Sequence, residues 1–264
     1  MNNKALLMIG SSVILVLGLY ASFMWQKQKT SDTLILGTMS GWPPYVSINE
    51  KGEYEGFDIV IAQEIARRLG KKLEIRDMDT VALIIALKQN KVDFIMTGLD
   101  ITQERLQQMV MIPYEGEETT TQPLVFWKQI PAGVNTLEDL KNIPGAVVCV
   151  EPGSSQESFL IQYKDLFEIK TLVPSMAILE LKRGKSLAVL LQESLFLDLK
   201  KKFPELVALE VPLDAKNKSF GNGIGIKKEN TALIQQITQI INDLKNSGQM
   251  VMWEKQWLNK EKKS

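Results

Sequence analysis

One arginine stands where the sequence could place an anion-binding group. Thr97 and Gly98 end an apolar, strand-like run, Thr102 can cap the short helix that follows, and Arg105 then falls in the first turn of that helix. Exposed N–H groups and the helix dipole favour an anion there, and a guanidinium can hold a carboxylate through two parallel hydrogen bonds. Taken alone, the pattern is more typical of a surface arginine.

A second strand, loop and helix repeat this arrangement further along the chain. The predicted strand Val147–Val150 leads into a loop that begins at Glu151, and Ser154 with Glu157 forms a capping box for the next helix. Two interpretations of Glu151 stay open. Its carboxylate could pair with a buried cation, or it could point to solvent beside Pro152.

The residue types that the chain lacks exclude other chemistry. Among 264 residues there is no histidine and a single cysteine, which removes the commonest general base and metal ligand. Cys149 lies within an apolar run and is predicted to be a buried strand thiol. We expect no catalytic residue, no metal and no cofactor. Lys+Arg and Asp+Glu are equal at 31 each, so the charge balance gives no argument for a nucleic-acid partner.

The N-terminal segment predicts export. Residues 5–25 are almost wholly apolar and are followed by a short polar stretch, so we interpret residues 1–32 as a signal peptide or an N-terminal membrane anchor. Both alternatives stay open because the apolar run is long enough to span a membrane and no clear cleavage site follows it. The expected location is periplasmic or extracytoplasmic, with tethering to the inner membrane as the alternative.

From residue 33 the chain alternates predicted strands and helices, which is typical of mostly parallel sheets covered by helices. Pro43 and Pro44 predict an extended, exposed loop that presents Trp42. Asp58 is predicted to cap the helix that follows this loop.

Five motifs, taken together in their order and spacing, resemble the amino-acid-binding family of type II periplasmic solute-binding proteins, the receptors of polar-amino-acid ABC importers. They are GWPPY at residues 41–45, GFD at 56–58, DFIMTGLDITQER at 93–105, EPGSS at 151–155 and GIGI at 223–226. The resemblance runs from about Leu34 to Trp257. It implies an α/β fold of two lobes, each a mostly parallel sheet flanked by helices, joined by two hinge crossovers. Lobe 1 would comprise residues 33–123 and 221–258, and lobe 2 residues 124–220.

The resemblance also implies roles for particular residues in the cleft between the lobes. An arginine at the position of Arg105 holds the ligand α-carboxylate in that family, helped by hydroxyl and backbone groups at Thr97, Gly98 and Ser155. Asp100 matches a position that helps to hold the ligand ammonium in several members, and its alternative role is to cap the turn before Thr102. Trp42 matches an aromatic that covers the ligand side chain, and its alternative role is packing on the core.

Two departures from the family pattern bear on the ligand. Gln192, followed by Glu193, stands where many members have an aspartate for the ligand ammonium, and Met39 occupies a place that is acidic in some binders of basic amino acids. Glu151 is the available replacement for the missing acid. We therefore predict arginine first, then lysine or ornithine, with glutamine or another polar amino acid as the alternative.

The implied partners are a small amino acid and a membrane-embedded ABC permease, and we expect a monomer. Two other functions stay open. One is an enzyme on the same fold, such as a dehydratase of small carboxylic acids that uses Glu151 or Glu193 as acid or base. The other is a sensor module that signals to a membrane partner.

Overall fold

The chain is organised around two five-stranded sheets, which we call the cores of a first and a second lobe. The computed structural model describes residues 32–258. The predicted signal peptide or anchor therefore lies, apart from Asp32, outside the described residues. Within residues 32–258, no helix is both long enough and apolar enough to cross a membrane.

The strands are β1 (Thr33–Thr38), β2 (Ser47–Ile48), β3 (Tyr54–Glu55), β4 (Lys72–Asp77), β5 (Phe94–Ile95), β6 (Val110–Thr119), β7 (Thr121–Trp127), β8 (Val147–Val150), β9 (Glu168–Thr171), β10 (Ala188–Leu190), β11 (Leu206–Pro212) and β12 (Ser219–Ile226). The helices are α1 (Phe57–Arg68), α2 (Thr80–Lys88), α3 (Gln103–Gln108), α4 (Ser155–Leu160), α5 (Pro174–Lys182), α6 (Glu193–Lys202), α7 (Thr231–Asn246) and α8 (Gln249–Leu258). Short 3-10 helices cover Glu138–Asn142 and Ile161–Tyr163.

Both sheets are built on the same plan. The first has the order β4-β1-β5-β12-β6 and the second the order β11-β7-β10-β8-β9. Three neighbouring strands pair in parallel in each sheet, and one reversed strand, β12 or β7, pairs antiparallel with both of its neighbours. Four of the five strands therefore run in the same direction, as the prediction of mostly parallel sheets requires.

The two reversed strands follow the two passages of the chain between the lobes. β6 ends at Thr119 in the first sheet and β7 begins at Thr121 in the second, while β11 and β12 make the return passage. Strand β7 pairs with β11 along its full length, and Gln122 and Pro123 belong to that pairing. The sheets thus change at residue 120, three residues before the boundary predicted from sequence.

Each sheet is covered on both faces by apolar side chains. On the first sheet, α1, α7 and α8 pack on one face and α2 on the other. On the second, α4 packs on one face and α5 with α6 on the other. Strand β8 shows the alternation, because Val148 and Val150 join one of these clusters and Cys149 the other. Each fully buried aliphatic or aromatic side chain contributes about 1.5–3 kcal/mol.

The prediction that Cys149 is a buried thiol is confirmed. The side chain is fully buried and unpaired, and burial raises its pKa, which disfavours the reactive thiolate.

The predicted cap at Asp58 is wrong. Helix α1 begins after Gly56, whose φ is 129° and whose Cβ, if it had one, would lie 2.2 Å from the Tyr45 carbonyl oxygen. Only glycine fits that position. Asp58 lies inside the first turn and is fully buried. Its carboxylate accepts hydrogen bonds from Gly98 and Tyr114 and not from the free N–H groups at the end of the helix.

Candidate functional site

The site lies where the carboxyl ends of parallel strands from the two lobes face each other, the usual place for a ligand in open α/β sheets. Residues after β5 come from the first lobe, and residues after β8 and β10 come from the second. The space left between the lining side chains is only about 20 Å³, roughly the room of one water molecule. A ligand of amino-acid size could therefore enter only after the lobes or the lining side chains move apart.

All eight residues predicted for the site line this one cavity. They are Trp42, Thr97, Gly98, Asp100, Arg105, Glu151, Ser155 and Gln192. Sequence reasoning missed four further lining residues, Thr80, Leu99, Ser154 and Gln156. Three of these directly adjoin predicted residues, so sequence proximity was an available signal. Thr80, at the start of α2, had no such signal.

Arg105 occupies the first turn of α3 as predicted. The Thr102 hydroxyl accepts a hydrogen bond from the Arg105 backbone N–H at 3.2 Å, which confirms Thr102 as the cap. The guanidinium donates from Nη1 to the Asp100 carbonyl at 2.8 Å and from Nη2 to the Gly153 carbonyl at 3.1 Å. Because Gly153 belongs to the second lobe, Arg105 connects the two lobes.

The Arg105 side chain is only 6% exposed. Burial lowers the pKa of its guanidinium, while the charge of Asp100 acts in the opposite direction. An arginine has five N–H donors and stays charged in proteins, and the two carbonyls use two of those donors. The remaining donors are suited to a carboxylate inside the cavity.

Asp100 faces the second lobe. Its carboxylate accepts a hydrogen bond from the Ser155 hydroxyl and another, at 3.0 Å, from the Gln192 side-chain amide. Burial raises the pKa of Asp100, and the nearby Arg105 charge opposes that rise. The carboxylate is therefore engaged across the cleft and does not cap the turn before Thr102.

Glu151 is a buried carboxylate without a partner. It is 5% exposed, and neither of its oxygens accepts a hydrogen bond from the described residues. Burial raises the pKa of Glu151 to about 8, with Arg105 opposing the rise and Asp100 adding to it. The alternative in which Glu151 points to solvent is therefore wrong. Glu193, by contrast, is exposed and lines a separate cavity beside the crossovers.

Trp42 is not part of an exposed loop, which corrects the expectation from Pro43 and Pro44. It is 8% exposed and packs in the apolar cluster of the second lobe together with Val125 and Leu195. Its ring also lines the cavity. The two interpretations of Trp42 are therefore compatible, since a tryptophan is large enough to pack and to cover a ligand at once.

Polar groups of the first-lobe loop already have partners. The Gly98 N–H donates to Asp58 at 2.7 Å, and the Thr97 hydroxyl donates to the Met39 carbonyl at 3.3 Å. Met39 itself packs between apolar clusters of both lobes. Gly98 and Thr97 thus shape the cavity wall, and the Thr97 oxygen keeps its capacity to accept a hydrogen bond.

Gln192 gives the cavity an amide where many members of the resembling family carry an acid. Its Nε2 donates to Asp100 and, at 3.3 Å, to the side-chain oxygen of Asn222. The acid at this point of the cleft is therefore Asp100 of the first lobe. Within residues 32–258, no group of three or more Cys, Asp or Glu side chains is arranged to hold a metal ion.

Comparison with known proteins identifies the family and the fold. Residues 34–260 match the family described as bacterial extracellular solute-binding proteins, family 3. The probable ABC transporter arginine-binding protein ArtJ of Chlamydia trachomatis is 33% identical over 228 residues, covering 86% of each chain. The crystal structure of a mutant of ArgBP from T. maritima superposes with a TM-score of 0.77 at 32% identity, covering 87% of this chain and 96% of that chain.

An enzyme is also among the relatives. The cyclohexadienyl dehydratase of Pseudomonas aeruginosa is 31% identical over 151 residues, which cover 54% of this chain and 55% of the dehydratase.

Proposed function

This chain belongs to the bacterial extracellular solute-binding proteins, family 3, and from that premise we propose that it binds arginine between its lobes and delivers it to an ABC importer. The family membership and the two-lobed α/β fold of type II periplasmic binding proteins confirm the resemblance found in the sequence. Arginine as the ligand, and the role of each residue, are the proposal.

The observation that carries the choice of ligand is the unpaired carboxylate of Glu151. A buried carboxylate without a partner costs several kcal/mol, and a cation beside it removes that cost. Because burial raises the pKa of Glu151 to about 8, the ligand-free protein keeps the group protonated at neutral pH, and a bound cation would let it ionise. A guanidinium suits the ionised group well, since two of its N–H groups match two carboxylate oxygens.

The same cavity also contains a group that would bind an anion. Arg105 retains N–H donors that a carboxylate can accept from, and Asp100 supplies a second acid near them. A zwitterion with a cationic side chain meets all three requirements. Its α-carboxylate would bind Arg105, its α-ammonium Asp100 and its side chain Glu151, while Trp42 covers the guanidinium plane.

The names of the relatives support the same ligand. ArtJ is described as a probable arginine-binding protein, and ArgBP has been solved in an arginine-bound form. Lysine or ornithine would leave part of the Glu151 carboxylate unmatched. An ammonium is a compact charge and lacks the two parallel N–H donors of a guanidinium. Glutamine would leave the carboxylate without a cation.

A dehydratase is the second candidate function, and one observation favours it. Glu151 has the raised pKa that a general acid needs at neutral pH, in a cavity beside an arginine. Against it, the match to the dehydratase covers only about half of either chain. Incubation with small cyclic and acyclic hydroxy acids, followed by product analysis, separates the two functions.

Transport requires a membrane permease as partner, and we propose a location outside the cytoplasm, with the chain acting as a monomer. The segment at residues 1–32 would direct export, either cleaved or kept as an anchor. Membrane fractionation of the expressing cells distinguishes these, since a cleaved chain appears only in the soluble fraction.

The decisive experiment is calorimetry against all the common amino acids together with ornithine. Arginine should bind most tightly. If glutamine or a small neutral amino acid binds more tightly, the choice of arginine is wrong while amino-acid binding stands. If none binds, the amino-acid function itself is wrong.

A further inference from the structure

A fully buried carboxylate behind the cavity holds the wall of the site in place. Asp58 is 0% exposed and accepts two hydrogen bonds, one from the Gly98 N–H and one from the Tyr114 hydroxyl, each at 2.7 Å. Gly98 lines the ligand cavity, and so do Thr97 and Asp100 on the same loop. We propose that Asp58 is a positioning residue, which fixes the loop of residues 97–100 through Gly98 so that it faces the ligand correctly.

Gly98 adopts a left-handed backbone conformation that its surroundings restrict. Its φ is 58°, in the left-handed region, and a Cβ there would lie 3.0 Å from the ring of Tyr45. The ring closes one side of Gly98, and the Asp58 carboxylate binds its N–H. The loop therefore has little freedom to turn while that bond remains.

The same aspartate connects a second part of the cavity wall. The backbone N–H groups of Phe57 and Asp58 donate to the carbonyls of Pro44 and Tyr45, each at 3.1 Å. The loop that these carbonyls belong to also carries Trp42. Asp58 thus joins the start of α1 to two loops that line the cavity, one through its backbone and one through its side chain.

The strength of this connection follows from charge and burial. When Asp58 is ionised, its hydrogen bonds are about twice as strong as bonds between neutral groups. Burial raises the pKa of Asp58 to about 7, and the bonds from Tyr114 and Gly98 oppose that rise, so this strengthening is complete only above neutral pH. A side chain placed only to cap the helix would instead be solvated.

The inference rests on the proposed function for its effect on affinity, and two measurements keep the two claims separate. Amide hydrogen exchange of the ligand-free protein reports the loop directly. Asp58→Asn keeps the size of the side chain but weakens the bond to Gly98, so exchange over residues 97–101 should become at least several-fold faster. Tyr114→Phe is the matched control, because it removes the other bond to the same carboxylate and leaves Gly98 bound.

Calorimetry with L-arginine then measures the consequence. We expect Asp58→Asn to weaken binding roughly tenfold and Tyr114→Phe to stay within about threefold, although both should lower the melting temperature. Unchanged exchange in Asp58→Asn would overturn the inference, as would equal losses of affinity in the two variants. If the wild type binds no amino acid, the proposed function fails, and the exchange comparison still decides the role of Asp58. Asp58→Ala removes the acceptor altogether, so it should speed amide exchange and weaken arginine binding more than Asp58→Asn does.

Discussion

Asp100 and Gln192 hydrogen-bond to each other across the cleft, from opposite lobes, with Gln192 Nε2 donating to Asp100 Oδ1 at 3.0 Å. Ser155, also from the second lobe, donates to the other oxygen of the same carboxylate. Arg105 adds a third connection through the Gly153 carbonyl. The groups that would bind a ligand are therefore groups that also connect the lobes, so we expect binding and closure to be coupled.

Arg105→Ala should lose most of the affinity for arginine. Without the guanidinium, the ligand carboxylate would be buried without a charged donor, at a cost of about 2–5 kcal/mol. Arg105→Lys should also bind weakly, because the ammonium keeps the charge but loses the planar fork. Calorimetry measures both. Arg67→Ala is the control, since Arg67 is exposed and pairs with Glu64 on the helix surface, and near-normal binding by Arg105→Ala would rule out the carboxylate role.

Glu151→Gln should change the choice of ligand. The amide keeps the shape of the side chain but removes the charge that a guanidinium needs, so arginine should bind about tenfold more weakly or worse, which is roughly 1.4 kcal/mol. Glutamine should be almost unaffected. Glu193→Gln is the control, because that acid is exposed and does not line the ligand cavity. Equal weakening of arginine and glutamine would instead assign Glu151 to the ligand α-ammonium.

The stability of the ligand-free protein should carry a pH dependence that comes from Glu151. Its pKa is raised to about 8 in the folded chain, against roughly 4.3 when unfolded. The folded chain therefore keeps this proton while the unfolded chain releases it. The contribution is complete below about pH 4 and is lost as the pH rises towards 8, by the order of a few kcal/mol.

Thermal or denaturant unfolding at several pH values tests this against Glu151→Gln. The variant should lack the loss of stability that Glu151 causes. Any pH dependence of stability that comes from Asp58 is present in both proteins and cancels in the comparison. Arg105 and Asp100 are the charged groups that act on Glu151, and both are retained in the variant. Bound arginine should also suppress the loss in the wild type. Parallel pH profiles of wild type and variant would contradict the prediction.

Gly153→Ala should oppose closure. Gly153 has a φ of 73°, and a Cβ there would lie 2.8 Å from Val81 Cγ2 of the first lobe. Gly184→Ala is a matched control, because its φ is 67° and nothing lies within 4 Å of the added atom. Both variants should lose about 1–2 kcal/mol of stability, because alanine is strained in the left-handed conformation.

Only Gly153→Ala should weaken arginine binding, by roughly tenfold, and reduce the compaction that small-angle scattering detects on adding arginine. The wild type and Gly184→Ala should both become more compact. If the radius of gyration of the wild type is unchanged at saturating arginine, the lobes do not close on the ligand.

Local signals were sufficient for much of this protein. The alternation of strands and helices predicted the mixed lobes, and Thr102 predicted the cap that places Arg105 in a first helical turn. Such signals act between residues a few positions apart, where backbone geometry fixes which groups can meet. The eight site residues were assigned largely through the family resemblance, and they all line one cavity, where loops that follow strands of both sheets meet.

Contacts between distant parts of the chain decided the rest. Asp58 has the local pattern of a helix cap, yet its partners Gly98 and Tyr114 lie 40 and 56 residues away. Glu151 carries no sign in the sequence of whether it faces water or the cleft. Its burial depends on how the second lobe approaches the first, and a carboxylate acquires a raised pKa and a need for a cation only once tertiary packing has removed its water.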